Sequence, residues 1–230
     1  MSKKVVEKNN VNIASSKIEY SKVKRERMSF YLFVKRAVDI VGSLLGLIVL
    51  SPLFLIIAIA IKIDDKGSAF YKHKRVGQFG KELYIHKFRS MKTDADNLEE
   101  MLTPEELEIF MSEFKLENDP RITKVGNFLR KTSLDELPQL FNILKGDLTL
   151  IGPRPIVEEE LENYGEDADK LLSVKPGLTG YWQAYARNDA IYATGERQKM
   201  ELHYVDNRSL IFDIKIFFMT FVSVFRKTGN

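Results

Sequence analysis

The sequence predicts an α+β, mainly helical fold held at a membrane, and three observations carry that expectation. One uncharged apolar run, Ile40 to Ile61, is about 22 residues long, enough to cross a hydrocarbon core. Two β-tolerant runs flank Gly77-Gln78-Phe79-Gly80, the pattern of a small β-hairpin. Elsewhere the most regular stretches repeat their apolar residues at helical spacing. A charged fraction of 29% places most of the chain in water.

Residues 1–30 form a polar tail of disordered composition. Within residues 1–28 there are eight Lys or Arg against three Glu, a charge that anionic lipid attracts. Residues 31–66 hold the membrane element. It is too long for the core of a signal peptide and ends in Lys62. Ser51-Pro52 sits at its centre, and a proline there removes one backbone bond and kinks a helix. Basic residues crowd both flanks: Lys22, Lys24, Arg25, Arg27, Lys35 and Arg36 before, Lys62, Lys66, Lys72, Lys74 and Arg75 after. A single pass exports one cluster against the positive-inside tendency. A re-entrant helix-break-helix, with arms of about ten residues returning to one face, avoids that and reaches about halfway through the core. Spanning helices tolerate proline, so the single pass stands as the alternative.

Residues 67–212 form the body. Ala69–Val76 and Glu82–Phe88 are the hairpin strands, with their register open. Asp94 to Leu116 is helical, interrupted at Thr103-Pro104, where Thr103 is the N-cap and Pro104 the first helical residue of a second helix. Residues 213–230 form an amphipathic helix with Ile214, Phe217, Phe218, Phe221, Val222 and Phe225 on one stripe. It is too short to span. Either it lies flat in the membrane interface or it packs as an ordinary core helix.

With no cysteine, neither a disulfide framework nor a thiolate metal site can form. His73, His86 and His203 lack ligand spacing. A net charge of +3 without a basic stripe interleaved with aromatics sets nucleic-acid binding aside.

Polar chemistry concentrates between Asn118 and Pro155. Asp135-Glu136 admits two readings. Ser133-x-x-Glu136 is a capping box, and acids in a first helical turn suit the helix dipole. Pro138 then falls at the fifth helical position, so the start of that helix must be distorted or displaced. Alternatively one carboxylate is a nucleophile, or both hold a divalent cation, oxygen ligands suiting Mg²⁺. Arg154, between Pro153 and Pro155, is pre-oriented for bidentate phosphate recognition or is a solvated arginine in a rigid turn. Lys87 and Arg130 supply further positive charge, or are plain surface. Trp182-Gln183 and Arg187-Asn188 offer an aromatic face, an amide and a cation, suited to a base, ribose or sugar and equally to loop packing.

Taken in order, several motifs resemble the monotopic bacterial phosphoglycosyl transferases, also called the bacterial sugar transferase family. They are Lys35-Arg36 with Asp39, Ser51-Pro52, Lys87-Phe88-Arg89-Ser90-Met91, Asp119-Pro120-Arg121-Ile122-Thr123, Thr132 through Gln139, Gly152-Pro153-Arg154-Pro155 and Pro176-Gly177-Leu178-Thr179-Gly180. The resemblance covers residue 31 to the C-terminus. It implies a re-entrant membrane helix broken at Ser51-Pro52, and amphipathic interfacial helices around a catalytic site on the cytoplasmic face of the bacterial cytoplasmic membrane. It further implies that Asp135 attacks the β-phosphorus of a UDP-sugar, expels UMP and passes the phosphosugar to undecaprenyl phosphate, at the first membrane step of capsule, exopolysaccharide or glycoprotein glycan assembly. Glu136 helps hold Mg²⁺ with Asp135 or assists proton transfer, while Lys87, Arg130 and Arg154 contact phosphate and Gln183, Arg187 and Asn188 contact nucleotide or sugar. The expected partners are UDP-sugar, undecaprenyl phosphate and membrane lipid, with a homodimer left open. The chain is expected to be a minimal form without the extra spanning helices of the long members. Galactose, glucose and N-acetylated sugars all fit. The rival expectation is a non-enzymatic membrane-tethered scaffold of a polysaccharide assembly system, with Asp135-Glu136 acting only as a cap.

Overall fold

A computed structural model describes residues 30–113, 116, 118–186, 190 and 192–225. It is mainly helical with two small sheets. The apolar run lies within α1 (Phe30–Asp65), a helix of 36 residues, long and apolar enough to cross a membrane. Two arms separated by a break were expected, but the helix runs through Ser51-Pro52 without interruption. Local chemistry accounts for this. Pro52 has no N–H to give Ile48, and the Ser51 hydroxyl donates to the Ile48 carbonyl instead, at 2.8 Å.

One face of α1 is packed along the body. Leu47 and Leu50 join a core of Leu83, Ile85, Leu140, Ile143 and Leu148. Further on, Leu53, Phe54, Ile57 and Ile61 meet Phe88 and Leu129. The opposite face leaves Val41, Leu45, Ile48, Val49, Leu55 and Ile56 exposed. Both ends are bonded to the body. Near the start, Lys35 pairs with Asp213 at 2.6 Å, and Arg36 donates to the Ile143 and Leu144 carbonyls at 2.7 and 2.8 Å. Buried Asp39 accepts from Thr149 Oγ1 and Leu150 N–H. At the other end, Asp64 accepts from Val125 N–H at 2.9 Å and Asp65 from Thr93 Oγ1 at 2.8 Å.

The hairpin forms as expected, β1 (Phe70–Val76) pairing antiparallel with β2 (Glu82–Phe88) in the register Val76 to Glu82 through Phe70 to Phe88. Residues α2 (Leu98–Met101) and α3 (Pro104–Glu113) follow. As the sequence indicates, Thr103 starts α3: its hydroxyl accepts from Glu106 N–H, and the Glu106 carboxylate accepts from Thr103 N–H. Then come α4 (Lys124–Lys131) and α5 (Gln139–Lys145). Asn142 on α5 covers the free edge of β2. Its Nδ2 donates to the Tyr84 carbonyl at 2.8 Å, and its Oδ1 accepts from His86 N–H at 2.9 Å. Asn142 is fully buried, so Asn142→Leu leaves two backbone groups unsatisfied. We expect it to cost about 2–4 kcal/mol, read as a lowered midpoint in thermal or denaturant unfolding of the detergent-solubilised protein.

The second sheet pairs β3 (Thr149–Ile151) in parallel with a strand that returns after α6 (Ala168–Leu172), namely β4 (Gly177–Thr179). A Cβ on Gly152, Gly177 or Gly180 would strike the neighbouring strand's backbone, so these glycines allow the close crossing. The chain ends in α7 (Tyr181–Tyr185), α8 (Glu196–Asn207) and α9 (Leu210–Phe225). α9 packs against the body through one face and leaves the other exposed. Asp213 and Ile216 are buried against the body, while Ile214, Phe217, Phe218, Phe221 and Val222 are exposed.

Candidate active site

Asp135 and Glu136 lie on a short 3₁₀ turn, Leu134–Glu136, that precedes α5. The capping box expected from Ser133 and Glu136 does not form. Ser133 takes a left-handed conformation, with φ 56° and ψ 18°, and its side chain makes no cap bond. Pro138 decides the matter. It lies outside the helix as the N-cap of α5, where its missing N–H costs nothing, and the acids are displaced onto the turn before it. Asp135 is buried at 7% exposure, an unusual place for a carboxylate whose only task is capping.

Three further elements supply the surroundings of that turn. Lys87, on β2, donates to Glu136 Oε1 at 2.9 Å. Arg154, just past β3, brings its guanidinium to 3.7 Å from the same oxygen. Gln183, on α7, donates through Nε2 to the Leu178 carbonyl at 3.2 Å. Glu136, Lys87, Arg154 and Gln183 line one small cleft together with Arg75, Ile85, Gln139, Pro155 and Leu178. Asp135 and Arg130 are outside this lining. Arg130 donates through Nε to Ser90 Oγ at 3.0 Å, and burial lowers its guanidinium pKa while Asp135 and Asp119 favour its charge. Arg187 and Asn188 lie outside the described residues.

The charge around the cleft is arranged in layers. Burial works against the charged form of Arg154, yet Glu136 and Glu160 outweigh it and raise its pKa. Burial, then the cations Arg75, Lys87 and Arg154, hold His73 at about 3, so its ring is neutral. Behind the cleft, buried Glu160 is shared by Arg75 and Arg197, each at 3.4 Å, and accepts from the Tyr192 hydroxyl at 3.1 Å. Glu201, fully buried on α8, accepts from the Arg154 backbone N–H at 3.3 Å.

Glu201 has a measurable consequence for stability. Burial raises its pKa from the ordinary 4.5 to about 7. Between those values the unfolded chain has lost the proton and the folded chain keeps it. The neutral-form stability is therefore complete below about pH 4.5 and is lost as pH rises through about 7. This group alone should lower stability by about 3 kcal/mol across that window. Glu201→Gln is expected to flatten that part of the unfolding-midpoint profile against pH.

Arg75, His73, Glu160 and Glu201 were missed in the sequence. The signal for the first two was strand alternation, since His73 and Arg75 stand opposite Ile85 and Leu83 and share a face with Lys87. That inference needs the register. Glu160 and Glu201 give no local signal.

The donor set bears on metal binding. Among the described residues no three His, Cys, Asp or Glu side chains converge. One carboxylate, Glu136, lines the cleft, and Mg²⁺ takes as few as one or two protein oxygens beside its waters and substrate phosphates.

Residues 30–227 match the family model described as bacterial sugar transferase. The undecaprenyl-phosphate galactose phosphotransferase of Salmonella typhimurium is 49% identical over 200 residues, covering 86% of this chain and 41% of that protein. The exopolysaccharide production protein ExoY of Sinorhizobium fredii is 46% identical over 199 residues, covering 85% of this chain and 87% of that protein. The UDP-glucose:undecaprenyl-phosphate glucose-1-phosphate transferase of Escherichia coli is 39% identical over 194 residues, covering 81% and 39%. The chain thus spans about two-fifths of the length of the first and third relatives and most of the second.

Proposed function

We propose, for a chain that belongs to the bacterial sugar transferase family, that it transfers a sugar 1-phosphate from a UDP-sugar to undecaprenyl phosphate. The observation that carries this reading is the convergence of Lys87 and Arg154 on Glu136, one residue from a buried aspartate. Phosphoryl transfer needs charge neutralisation and in-line positioning above all, and a cation-lined cleft beside two carboxylates supplies both.

In the first half-reaction a carboxylate oxygen of Asp135 attacks the β-phosphorus. The bond from that phosphorus to the bridging oxygen breaks, and UMP leaves with the bridging oxygen. Asp135 then holds the phosphosugar as an acyl phosphate. In the second, a phosphate oxygen of undecaprenyl phosphate attacks the same phosphorus, the bond to Asp135 breaks and the carboxylate is restored. Lys87 and Arg154 orient and neutralise the phosphates, and Arg130 places positive charge beside Asp135. Gln183 offers its side-chain amide to nucleotide or sugar. Bound by Asp135 and Glu136, Mg²⁺ would supply further neutralisation of phosphate charge.

The same reading places α1 as a re-entrant element with the catalytic body on the cytoplasmic face. Support comes from its two ends, both bonded to one body, and from the exposed apolar faces of α1 and α9, which suit lipid. Single cysteines in the tail and at Lys72 should both be labelled from the cytoplasmic side alone; labelling from opposite sides restores the single pass.

The activity is tested by incubating purified protein with undecaprenyl phosphate and a panel of UDP-sugars. UMP release with one of them is expected. Release of UDP instead identifies transfer of the sugar alone, and no nucleotide release across the panel leaves the scaffold reading.

A further inference from the structure

We propose that Arg75 is a third phosphate-binding cation of the cleft, held in a preset orientation by His73 and Glu160 and directed at the diphosphate of the nucleotide substrate. The inference rests on the phosphosugar-transfer reading and adds to it a residue on a different strand from Lys87.

Arg75 lies on β1 with its side chain at 10% exposure, and it lines the same cleft as Lys87, Glu136 and Arg154. A guanidinium carries five N–H donors in a rigid fork. Two of its nitrogens are engaged: one donates to His73 Nδ1 at 3.2 Å, the other to Glu160 Oε2 at 3.4 Å. Its Nε is buried and has no partner among the described residues. A buried polar group without a partner is costly, and native proteins keep such a group mainly where something else completes it.

Charge points to the class of ligand. Three cations and one carboxylate, Glu136, line the cleft. Glu160 offsets Arg75 only in part, because it also faces Arg197 at the same distance. The excess is positive and sits where a diphosphate would meet the Lys87 and Arg154 side chains. His73 contributes as a neutral acceptor: the surrounding cations and burial keep its ring unprotonated, so it accepts from Arg75 rather than repelling it. Glu160 and His73 therefore fix the fork's plane before substrate arrives, which lowers the ordering cost of each bond to phosphate.

The test compares UDP with uridine, measured by calorimetric titration of the full chain in detergent or nanodiscs, for wild type, Arg75→Lys and Arg75→Gln. Arg75→Lys keeps the positive charge on the strand and serves as the folding-tolerant variant. UDP affinity is expected to fall about tenfold in Arg75→Lys and about tenfold to a hundredfold in Arg75→Gln, with uridine affinity unchanged in both. Equal loss for UDP and uridine assigns Arg75 a structural role and overturns the proposal. So does unchanged UDP affinity in both variants while Lys87→Met weakens UDP. If wild type releases UMP from a UDP-sugar, the transfer reading stands whatever Arg75 does; if wild type neither releases UMP nor binds UDP, both fall together.

Discussion

Asp135→Asn is expected to abolish UMP release from the UDP-sugar substrate, by on the order of 10³-fold or more, without a comparable loss of stability. The size follows from the role. A nucleophile opens the covalent route, and an amide oxygen cannot replace a carboxylate in forming an acyl phosphate that the second substrate then cleaves. The stability expectation follows from the site. Asn is nearly isosteric with Asp, and the 3₁₀ turn that carries Asp135 is set by Ser133 and Pro138, not by the charge. Glu136→Gln should do less, about tenfold to a hundredfold, because Lys87 and Arg154 lose a counter-charge but the attacking group survives. Incubating wild type with UDP-sugar and no lipid, then weighing the intact protein, should reveal a phosphosugar adduct that Asp135→Asn lacks. Full turnover in Asp135→Asn would remove Asp135 from the chemistry even with the family membership intact.

What could be read from sequence and what could not divides along the range of the forces involved. Thr103 and Pro104 start α3 because capping is decided within four residues, and the sequence displays all of them. The hairpin was legible for the same reason. At Ser133 the local pattern misled: a capping box competed with Pro138, and the proline won because an imide inside a helix costs more than a lost cap. At Ser51-Pro52 the helix runs on where the sequence pointed to a break, since the hydroxyl next to the proline satisfies the carbonyl that the ring orphans. Lys87, Arg130, Glu136 and Arg154 stood out through their motifs, but their contacts did not: Lys87 on β2 and Arg154 just past β3 share one Glu136 oxygen. Glu160 sits in a run of glutamates and Glu201 in a helix of mixed charge, and both become notable only when the fold buries them beside arginines.

Gly126→Ala is expected to destabilise the protein by about 3 kcal/mol or more and to cost activity with it. Gly126 has no left-handed backbone to justify it; what it provides is room. A Cβ there would fall on the Ser90 carbonyl oxygen, with the Ser90 carbonyl carbon at 2.6 Å and Cα at 2.8 Å, all backbone atoms that cannot rotate away. The contact joins α4 to the segment after β2. Thr123 N–H donates to the Ser90 carbonyl at 3.1 Å, and Arg130 Nε to the Ser90 hydroxyl at 3.0 Å. Pushing α4 off Ser90 therefore moves Arg130, and with it the positive charge beside Asp135. Gly46→Ala is the matched control. Its Cβ would meet the end of the Leu140 side chain at 3.1 Å, which can shift, and alanine favours the helix, so a near-neutral effect is expected. Thermal unfolding in detergent and UMP release measured on the same preparations check both variants, and a Gly126→Ala protein as stable as Gly46→Ala would show that the α4 contact yields more easily than its backbone atoms imply.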